Sequence, residues 1–332
     1  MRGITRTAVL LLGTFIGLAP ASAGPAMLID AKSGLVLYAE QPDQPWQPAS
    51  LTKLMTSFIV FEAIRDGQLS LDEMLTCSET ALAQEPSKIG LPVGGQIRVE
   101  LGLKALIVKS ANDVAVMFAE RLSGSVEAFV ERMNDRARRL GMSNTRFVNP
   151  SGLPLRPASP GEPVSHAVTT ARDMAILSRA LLREFPEYSE LYSLPSFKLG
   201  NRLMRSHNSL LRTYDGADGM KTGFICASGY NVVASATRNE RQLIAVVLGE
   251  ASGGARALRA ASLFEHGFEI YPWKMIFSPT LATLPVNAPD ATEPPDLRPL
   301  VCRGGVRKAK KKKTNAQLVQ AKKAAAKKKP AE

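Results

Sequence analysis

Cysteine is scarce in this chain. The 332 residues include only three cysteines, Cys77, Cys226 and Cys302. An odd and widely spaced set of this kind does not indicate a disulfide framework. We therefore expect Cys226 to be a buried cysteine on a strand and not a reactive thiol.

Histidine is equally rare, and the three histidines are far apart in the sequence: His166, His207 and His266. No Cys/His cluster has the spacing of a zinc site, so we expect each histidine to be a surface or structural residue. A metal-dependent hydrolase is therefore disfavoured, and the sequence indicates no cofactor.

Long hydrophobic runs are also missing. Beyond residue 23 no stretch approaches the roughly 18 apolar residues that a membrane-spanning helix needs. Residues 1–23 start with Arg2 and Arg6, continue with a short apolar run and end in the small-residue motif Ala-Ser-Ala. These three features are typical of a secretory signal peptide. We predict cleavage after Ala23, export to the periplasm or cell envelope, and no transmembrane helix in the mature chain.

Negative charge is in short supply only at the C-terminus. The net charge is +12, yet residues 301–332 alone hold twelve Lys and Arg against a single acid, Glu332. The body of the chain is therefore close to neutral, and a nucleic-acid interface on it is not expected. Because like charges repel and little can be buried, the tail is predicted to be disordered, and we expect it to contact the anionic envelope electrostatically.

What the chain does contain is an ordinary globular composition, with 45% hydrophobic and 22% charged residues. Apolar spacing predicts strands near both ends of the body and helices between them. This favours an α/β (α+β) fold in which an antiparallel sheet is flanked by helices and a helical subdomain is inserted. We predict a domain over 24–275, a proline-rich linker over 276–300 and a Lys/Ala-rich tail over 301–332.

The predicted elements follow the chain in a simple order. They are a hairpin over 26–38, a helix capped by Ser50 and reaching Ile64, helices within 102–141 and 167–185, a strand over 219–224, a hairpin over 230–248 and a closing helix over 254–267.

Three short motifs carry the chemistry. Ser50-Leu51-Thr52-Lys53 places a lysine one helical turn from a serine. Ser110-Ala111-Asn112 lies at a predicted helix start, and Lys221-Thr222-Gly223 lies on a predicted strand. Each motif alone is weak, because a capped helix or a strand edge explains it equally well. Together, in this order, they match the set found in penicillin-binding proteins and β-lactamases.

The sequence around these motifs resembles the secreted D-alanyl-D-alanine carboxypeptidases, the low-molecular-mass penicillin-binding proteins. The stretches similar to that family are 48–56, 141–154 and 218–230, and the resemblance covers about residues 25–270. It implies a β-lactamase/transpeptidase-like fold and removal of the terminal D-alanine from peptidoglycan stem pentapeptides through an acyl-enzyme on Ser50. It also implies penicillin binding and a part in cell-wall biogenesis and cell shape. After residue 270 the chain is too short for the β-rich second domain of many members.

The resemblance also implies a role for each site residue. A serine hydroxyl needs a base, and Lys53 is the candidate. A free lysine has a pKa of about 10.4, so its neutral form at pH 7 costs about 4.6 kcal/mol, which burial and the charge of Lys221 would offset. Ser110 would pass the proton to the leaving amine. The expected substrate-binding residues are Asn112, Lys221, Thr222, Gly223, Phe224 (with an oxyanion donor on its backbone N–H) and Arg256.

Three alternatives remain open. A class A β-lactamase requires a Glu that activates the deacylating water, and Glu131 with Asn134 has the wrong spacing for that motif. A D,D-endopeptidase that cleaves cross-links shares all three motifs. A polycationic binding module would make the tail the functional part.

Overall fold

The computed structural model of the protein describes residues 24–155, 159, 164–286, 288 and 291–302. The predicted signal peptide and the tail beyond Cys302 lie outside this part of the chain. Within it, no helix combines the length and the apolar composition needed to cross a bilayer.

The described residues contain nine strands. In chain order they are β1 Ala26–Asp30, β2 Val36–Glu40, β3 Met74–Thr76, β4 Gln96–Arg98, β5 Ser196–Leu199, β6 Arg202–Arg205, β7 Ala217–Ile225, β8 Gly229–Arg238 and β9 Arg241–Glu250. Five of them form one antiparallel sheet in the order β2-β1-β9-β8-β7, and β3/β4 and β5/β6 are separate hairpins.

The helices lie mostly between β2 and β7. In chain order they are α1 Lys53–Arg65, α2 Glu79–Leu82, α3 Val99–Lys104, α4 Asn112–Ser123, α5 Val126–Arg139, α6 Ala171–Glu184, α7 Ser189–Ser193, α8 Leu210–Thr213, α9 Gly253–Phe277 and α10 Arg298–Val301. Short 3₁₀ turns cover Ala49–Thr52 and Pro186–Tyr188, and a π-helical segment covers Ala105–Lys109.

The sheet joins the two ends of the body, as the sequence predicts. Strand β1 pairs with β9, with Leu28 opposite Ala245, while β7 forms one edge. The helical subdomain is inserted between β2 and β7. The predicted α/β (α+β) class, an antiparallel sheet flanked by helices, is therefore confirmed.

Helix α1 is the centre of the larger core. Every residue from Lys53 to Ala63 is buried, as expected of a helix that is covered on all sides. Phe58 and Phe61 pack against Phe185, with ring centroids 5.1 and 5.6 Å apart. This burial holds the N-terminal end of α1 in a fixed position against the sheet.

Helix α9 covers the opposite face of the sheet, where Ala260 and Phe264 are fully buried. It continues ten residues beyond the predicted end at Gly267, even though it contains Pro272. Tyr271 is buried in the apolar core between α9 and the sheet. The Arg241 guanidinium lies over its ring, 3.6 Å from the ring centroid. Tertiary packing thus overrides the local helix-breaking signal.

The described parts of the segment 276–300 run along the domain. Val36 N–H donates to the Pro279 carbonyl over 2.8 Å, and Leu281 N–H donates to the Gly34 carbonyl over 2.9 Å. Further along, Leu297 N–H donates to the Ala227 carbonyl in the turn between β7 and β8.

A disulfide between Cys226 and Cys302 links the turn after β7 to the residue that follows α10. The prediction of a buried strand cysteine at Cys226 is wrong, because the residue lies in the partly exposed turn after β7 and is covalently paired. The spacing could not reveal the pair, since 76 residues separate the two cysteines and only the fold brings their Cα atoms to 5.7 Å. Cys77 is a buried free thiol.

We predict that the double variant Cys226→Ser/Cys302→Ser lowers the free energy of unfolding by about 2–4 kcal/mol, because a cross-link over a loop of this length restricts the unfolded chain. Denaturant titration of the oxidised protein and the double variant measures the difference. A reductant should lower the stability of the wild type and leave the double variant unchanged. Equal stability of the two oxidised proteins would contradict the prediction.

Candidate active site

Ser50 lies in the 3₁₀ turn that precedes α1. The prediction that it caps the helix is wrong: α1 begins at Lys53, its flanking residue is Thr52, and no side-chain cap bond is made. The turn instead directs the Ser50 hydroxyl toward the Lys53 amine, 3.0 Å away.

Two glycines let neighbouring backbone approach this turn. A Cβ on Gly223 would lie 2.7 Å from the Pro48 carbonyl oxygen and 3.2 Å from the Ser50 amide nitrogen. A Cβ on Gly152, whose φ is +83°, would lie 1.9 Å from the Ala49 carbonyl oxygen. Strand β7 and the loop around Gly152 can therefore flank Ser50 only because both positions lack a side chain.

Lys53 is 1% exposed and makes three hydrogen bonds through Nζ. The amine donates to Ser50 Oγ over 3.0 Å, to Asn112 Oδ1 over 2.6 Å and to the Ser151 carbonyl over 2.7 Å. Three segments that are distant in sequence thus meet at one nitrogen atom.

Asn112 and Ser110 come from the start of α4. Asn112 Nδ2 donates to the Glu85 carbonyl over 2.7 Å, which orients its Oδ1 toward Lys53. Ser110 follows the π-helical segment and has a left-handed backbone, with φ 62° and ψ 39°. That conformation costs about 1–2 kcal/mol for a residue with a Cβ.

Strand β7 supplies the second lysine. Lys221 is 3% exposed, and its Nζ donates to Ser110 Oγ over 2.9 Å and to the Thr222 carbonyl over 2.9 Å. Further along the strand, Gly223 packs against the 3₁₀ turn Ala49–Thr52 that holds Ser50, here called the nucleophile turn. Phe224 is exposed and packs on Tyr230, with ring centroids 4.2 Å apart.

Arg256 reaches the same place from α9. Its guanidinium donates to the carbonyls of Asn231 over 3.3 Å and His207 over 3.1 Å, and it lies 5.9 Å from the Tyr230 ring centroid. The side chain is 6% exposed, so these contacts fix its direction.

These residues surround one cleft of about 410 Å³. Its lining consists of Ser50, Pro86, Ser87, Ser110, Asn112, Leu153, His207, Thr222, Gly223, Phe224, Tyr230 and Arg256. The structure thus brings all nine sequence-predicted site residues together. Seven line the cleft, and the two lysines lie beneath it, each bonded to a serine of the lining.

Burial and a neighbouring positive charge lower the pKa of each lysine. Desolvation, followed by the charge of Lys221, lowers the pKa of Lys53 well below its usual value, although Asp113 opposes the change. Desolvation, followed by the charge of Arg256, lowers the pKa of Lys221 to about 7. Lys221 is therefore only partly charged at neutral pH, whereas sequence reasoning assigned it a full charge. Arg256, whose pKa burial lowers to about 10, keeps its charge.

The contacts of Lys53 also decide what its neutral form does. A neutral amine has two N–H donors and one lone pair. Asn112 Oδ1 and the Ser151 carbonyl can only accept hydrogen bonds, so they take the two N–H groups. The lone pair then faces the Ser50 hydroxyl, which must donate to it. This arrangement makes Lys53 a base for the Ser50 proton.

Sequence reasoning missed three parts of the site. The Ser151 carbonyl binds Lys53, a role that no side-chain motif reveals. Asp113 is fully buried and accepts hydrogen bonds from the backbone N–H groups of Ile89 and Gly90, which anchors the loop bearing Pro86 and Ser87. His207 is exposed, as expected of a surface residue, but the sequence did not show that it lines the cleft. Each depends on contacts between distant segments, which leave no local pattern.

The described residues contain no group of three or more His, Cys, Asp or Glu side chains that could hold a metal ion. The polar groups in and beneath the cleft are hydroxyls, amides, amines, an imidazole and a guanidinium, a set suited to nucleophilic catalysis on a carbonyl and to anion binding.

Known proteins are similar to this chain in both sequence and fold. The model of the D-alanyl-D-alanine carboxypeptidase family matches residues 18–252. The D-alanyl-D-alanine carboxypeptidase DacA of Haemophilus influenzae is 38% identical over 248 residues, which are 73% of this chain and 61% of that protein. A D-alanyl-D-alanine endopeptidase of Pseudomonas aeruginosa is 32% identical and matches 68% of this chain and 71% of that protein.

The structure is also similar to that of penicillin-binding protein D2 from Listeria monocytogenes in its ampicillin-bound form. The TM-score is 0.63 at 33% identity, and the match covers 74% of this chain and 97% of that one. The chain spans only about three fifths of the Haemophilus relative, so the family likeness concerns the domain described above. On the family match, which includes all three motifs, the chain belongs to the D-alanyl-D-alanine carboxypeptidase family.

Proposed function

We propose that the protein is a serine-type D,D-carboxypeptidase that removes the terminal D-alanine from peptidoglycan stem pentapeptides. The observation that carries the proposal is the contact set of Lys53, which directs the lone pair of its neutral amine to the Ser50 hydroxyl. Membership of the family supports the substrate class.

Acylation then proceeds in two steps. Lys53 removes the proton from Ser50 Oγ as that oxygen attacks the carbonyl of the penultimate D-alanine. The backbone N–H groups of Ser50 and Phe224 stabilise the oxyanion, each contributing about 3–4 kcal/mol. The proton that Lys53 took up passes by way of the Ser110 hydroxyl to the departing amine, so the peptide bond breaks and free D-alanine leaves. Water afterwards hydrolyses the ester.

The substrate is held from both sides of the scissile bond. Asn112 binds the peptide group on the acyl side, while Thr222, Lys221 and Arg256 bind the terminal carboxylate. Gly223 contributes by its size, since any side chain there would separate β7 from the nucleophile turn. A β-lactam has an amide and a carboxylate in a comparable arrangement, and it would acylate Ser50 in the same way.

Two other activities use the same scaffold. The 32% identical endopeptidase favours cleavage of D,D cross-links as a second candidate. A β-lactamase would need a carboxylate that activates the deacylating water. Glu131, the nearest sequence match, is exposed on α5 and does not line the cleft. The geometry therefore favours peptide cleavage over rapid β-lactam turnover.

Export completes the proposal. The predicted cleavage after Ala23 would leave Gly24 as the first residue. Gly24 is already part of the fold, because its carbonyl accepts a hydrogen bond from Arg259 over 2.7 Å. We infer that the mature enzyme acts in the periplasm and that the basic tail holds it to the anionic envelope.

We predict that Ser50→Ala abolishes labelling by a fluorescent penicillin and lowers D-alanine release by at least about 1,000-fold, because the variant lacks the oxygen that forms the acyl-enzyme in the proposed mechanism. Gel fluorescence and a D-alanine assay on a pentapeptide measure the two effects. Ser125→Ala, which removes a cap on the distant helix α5, is the matched control and should keep both activities. Labelling that persists in Ser50→Ala would refute the assignment.

We predict a bell-shaped pH profile of kcat/KM for D-alanine release. The rate falls at low pH, where Lys53 becomes protonated and stops acting as a base. It falls again above about pH 7, where Lys221, whose pKa is lowered to about 7, loses the charge that binds the carboxylate.

The control variant is Lys221→Arg, which keeps a positive charge above pH 7. Its absolute rate should drop because the guanidinium is larger, but its falling limb should move to higher pH. A wild-type kcat/KM that stays constant from about pH 6 to about pH 9.5 would contradict the proposed role of the Lys221 charge. That range extends from about one unit below the Lys221 pKa to well above it.

We predict that the tail binds envelopes electrostatically. A chain that ends after Cys302 keeps the disulfide and should sediment with isolated envelopes less than the full chain does. Raising the salt from about 0.05 to about 0.5 M should release the full chain, because the Debye length shortens. Both chains should be labelled equally by penicillin. Sedimentation that is independent of salt would contradict the tether.

A further inference from the structure

His207 stands in a rigid wall of the catalytic cleft. It belongs to the loop between β6 and α8, where the neighbouring Asn208 is 2% exposed. Asn208 Nδ2 donates to the Gly219 carbonyl over 2.8 Å, and Asn208 Oδ1 accepts from Leu210 N–H over 3.2 Å. Ser206 N–H donates to the Pro195 carbonyl over 2.9 Å. The backbone at His207 is therefore fixed on both sides.

The same residue is joined to the group proposed to bind the substrate carboxylate. The Arg256 guanidinium donates to the His207 carbonyl over 3.1 Å, and both residues line the cleft together with Thr222. His207 is consequently placed at the end of the cleft that receives the carboxyl-terminal residue of the substrate.

Partial burial and the surrounding positive charges favour the neutral form of the His207 ring. Desolvation in the cleft, followed by the charges of Lys221 on β7, Lys109 before α4 and Arg256 on α9, lowers the pKa of His207. A neutral imidazole has one N–H donor and one acceptor nitrogen. It can donate to a carboxylate without adding a further positive charge to a crowded cationic site.

We propose that His207 is a substrate-binding residue that donates a hydrogen bond to the terminal carboxylate of the leaving D-alanine. The inference rests on the proposed function and deepens it. A substrate whose leaving residue carries a free carboxylate gains this hydrogen bond, whereas the matching carboxamide gains less. His207 therefore favours substrates that end in a free carboxylic acid over those that end in a carboxamide.

The test compares two substrates in the intact enzyme. One is a lysyl-D-alanyl-D-alanine tripeptide acylated on both lysine amines, and the other is the same peptide with a C-terminal carboxamide. In His207→Ala, kcat/KM for the acid should fall about tenfold, as expected for a lost hydrogen bond to a charged group. For the amide it should change less than about twofold. His207→Gln, which restores an N–H donor, should recover most of the loss.

The control is His266→Ala, which alters an exposed histidine on α9 and should leave both rates unchanged. Saturating fluorescent penicillin should still label every variant, which keeps the test separate from that of Ser50. If the wild type releases D-alanine but His207→Ala slows both substrates equally or neither, the inference fails while the proposed function stands. Absence of release by the wild type would instead refute the proposed function.

Discussion

The burial of Lys53 is the constraint on which the rest of the site depends. Burial to 1% exposure removes the hydration of a charged lysine and therefore favours its neutral form. The nearby charge of Lys221 favours the neutral form further. Two carbonyl acceptors then use both N–H groups of the neutral amine and leave its lone pair for Ser50. In the proposed mechanism, the residue type, its depth and its partners allow this lysine to activate Ser50 without a histidine.

This burial is possible because the fold closes around the amine from several directions. The fully covered helix α1 holds Lys53 in the core, while α4 contributes Asn112 and the loop before Gly152 contributes the Ser151 carbonyl. The two glycines at the nucleophile turn allow backbone to pack where a Cβ could not fit. Close packing therefore determines the protonation state, since looser contacts would admit water and restore the charge of the lysine.

Local patterns predicted much of the chain correctly. The two hairpins of the sheet, the long helices α4, α5 and α6, and strand β7 follow apolar periodicity, which each segment carries within itself. The misses have a common cause. The 3₁₀ turn at Ser50, the last ten residues of α9 and the small hairpins β3/β4 and β5/β6 depend on what packs against them. Short segments of this kind have no periodic signal of their own.

The sequence by itself predicted the family, the fold class and nine candidate site residues that the fold brings together, because motif order and strand or helix context are local properties. Only the tertiary structure decided the contact of Lys53 with Ser151, the disulfide across 76 residues, the lowered pKa of Lys221 and the place of His207 in the cleft. These depend on desolvation and on distances between remote segments, and no run of neighbouring residues encodes either quantity.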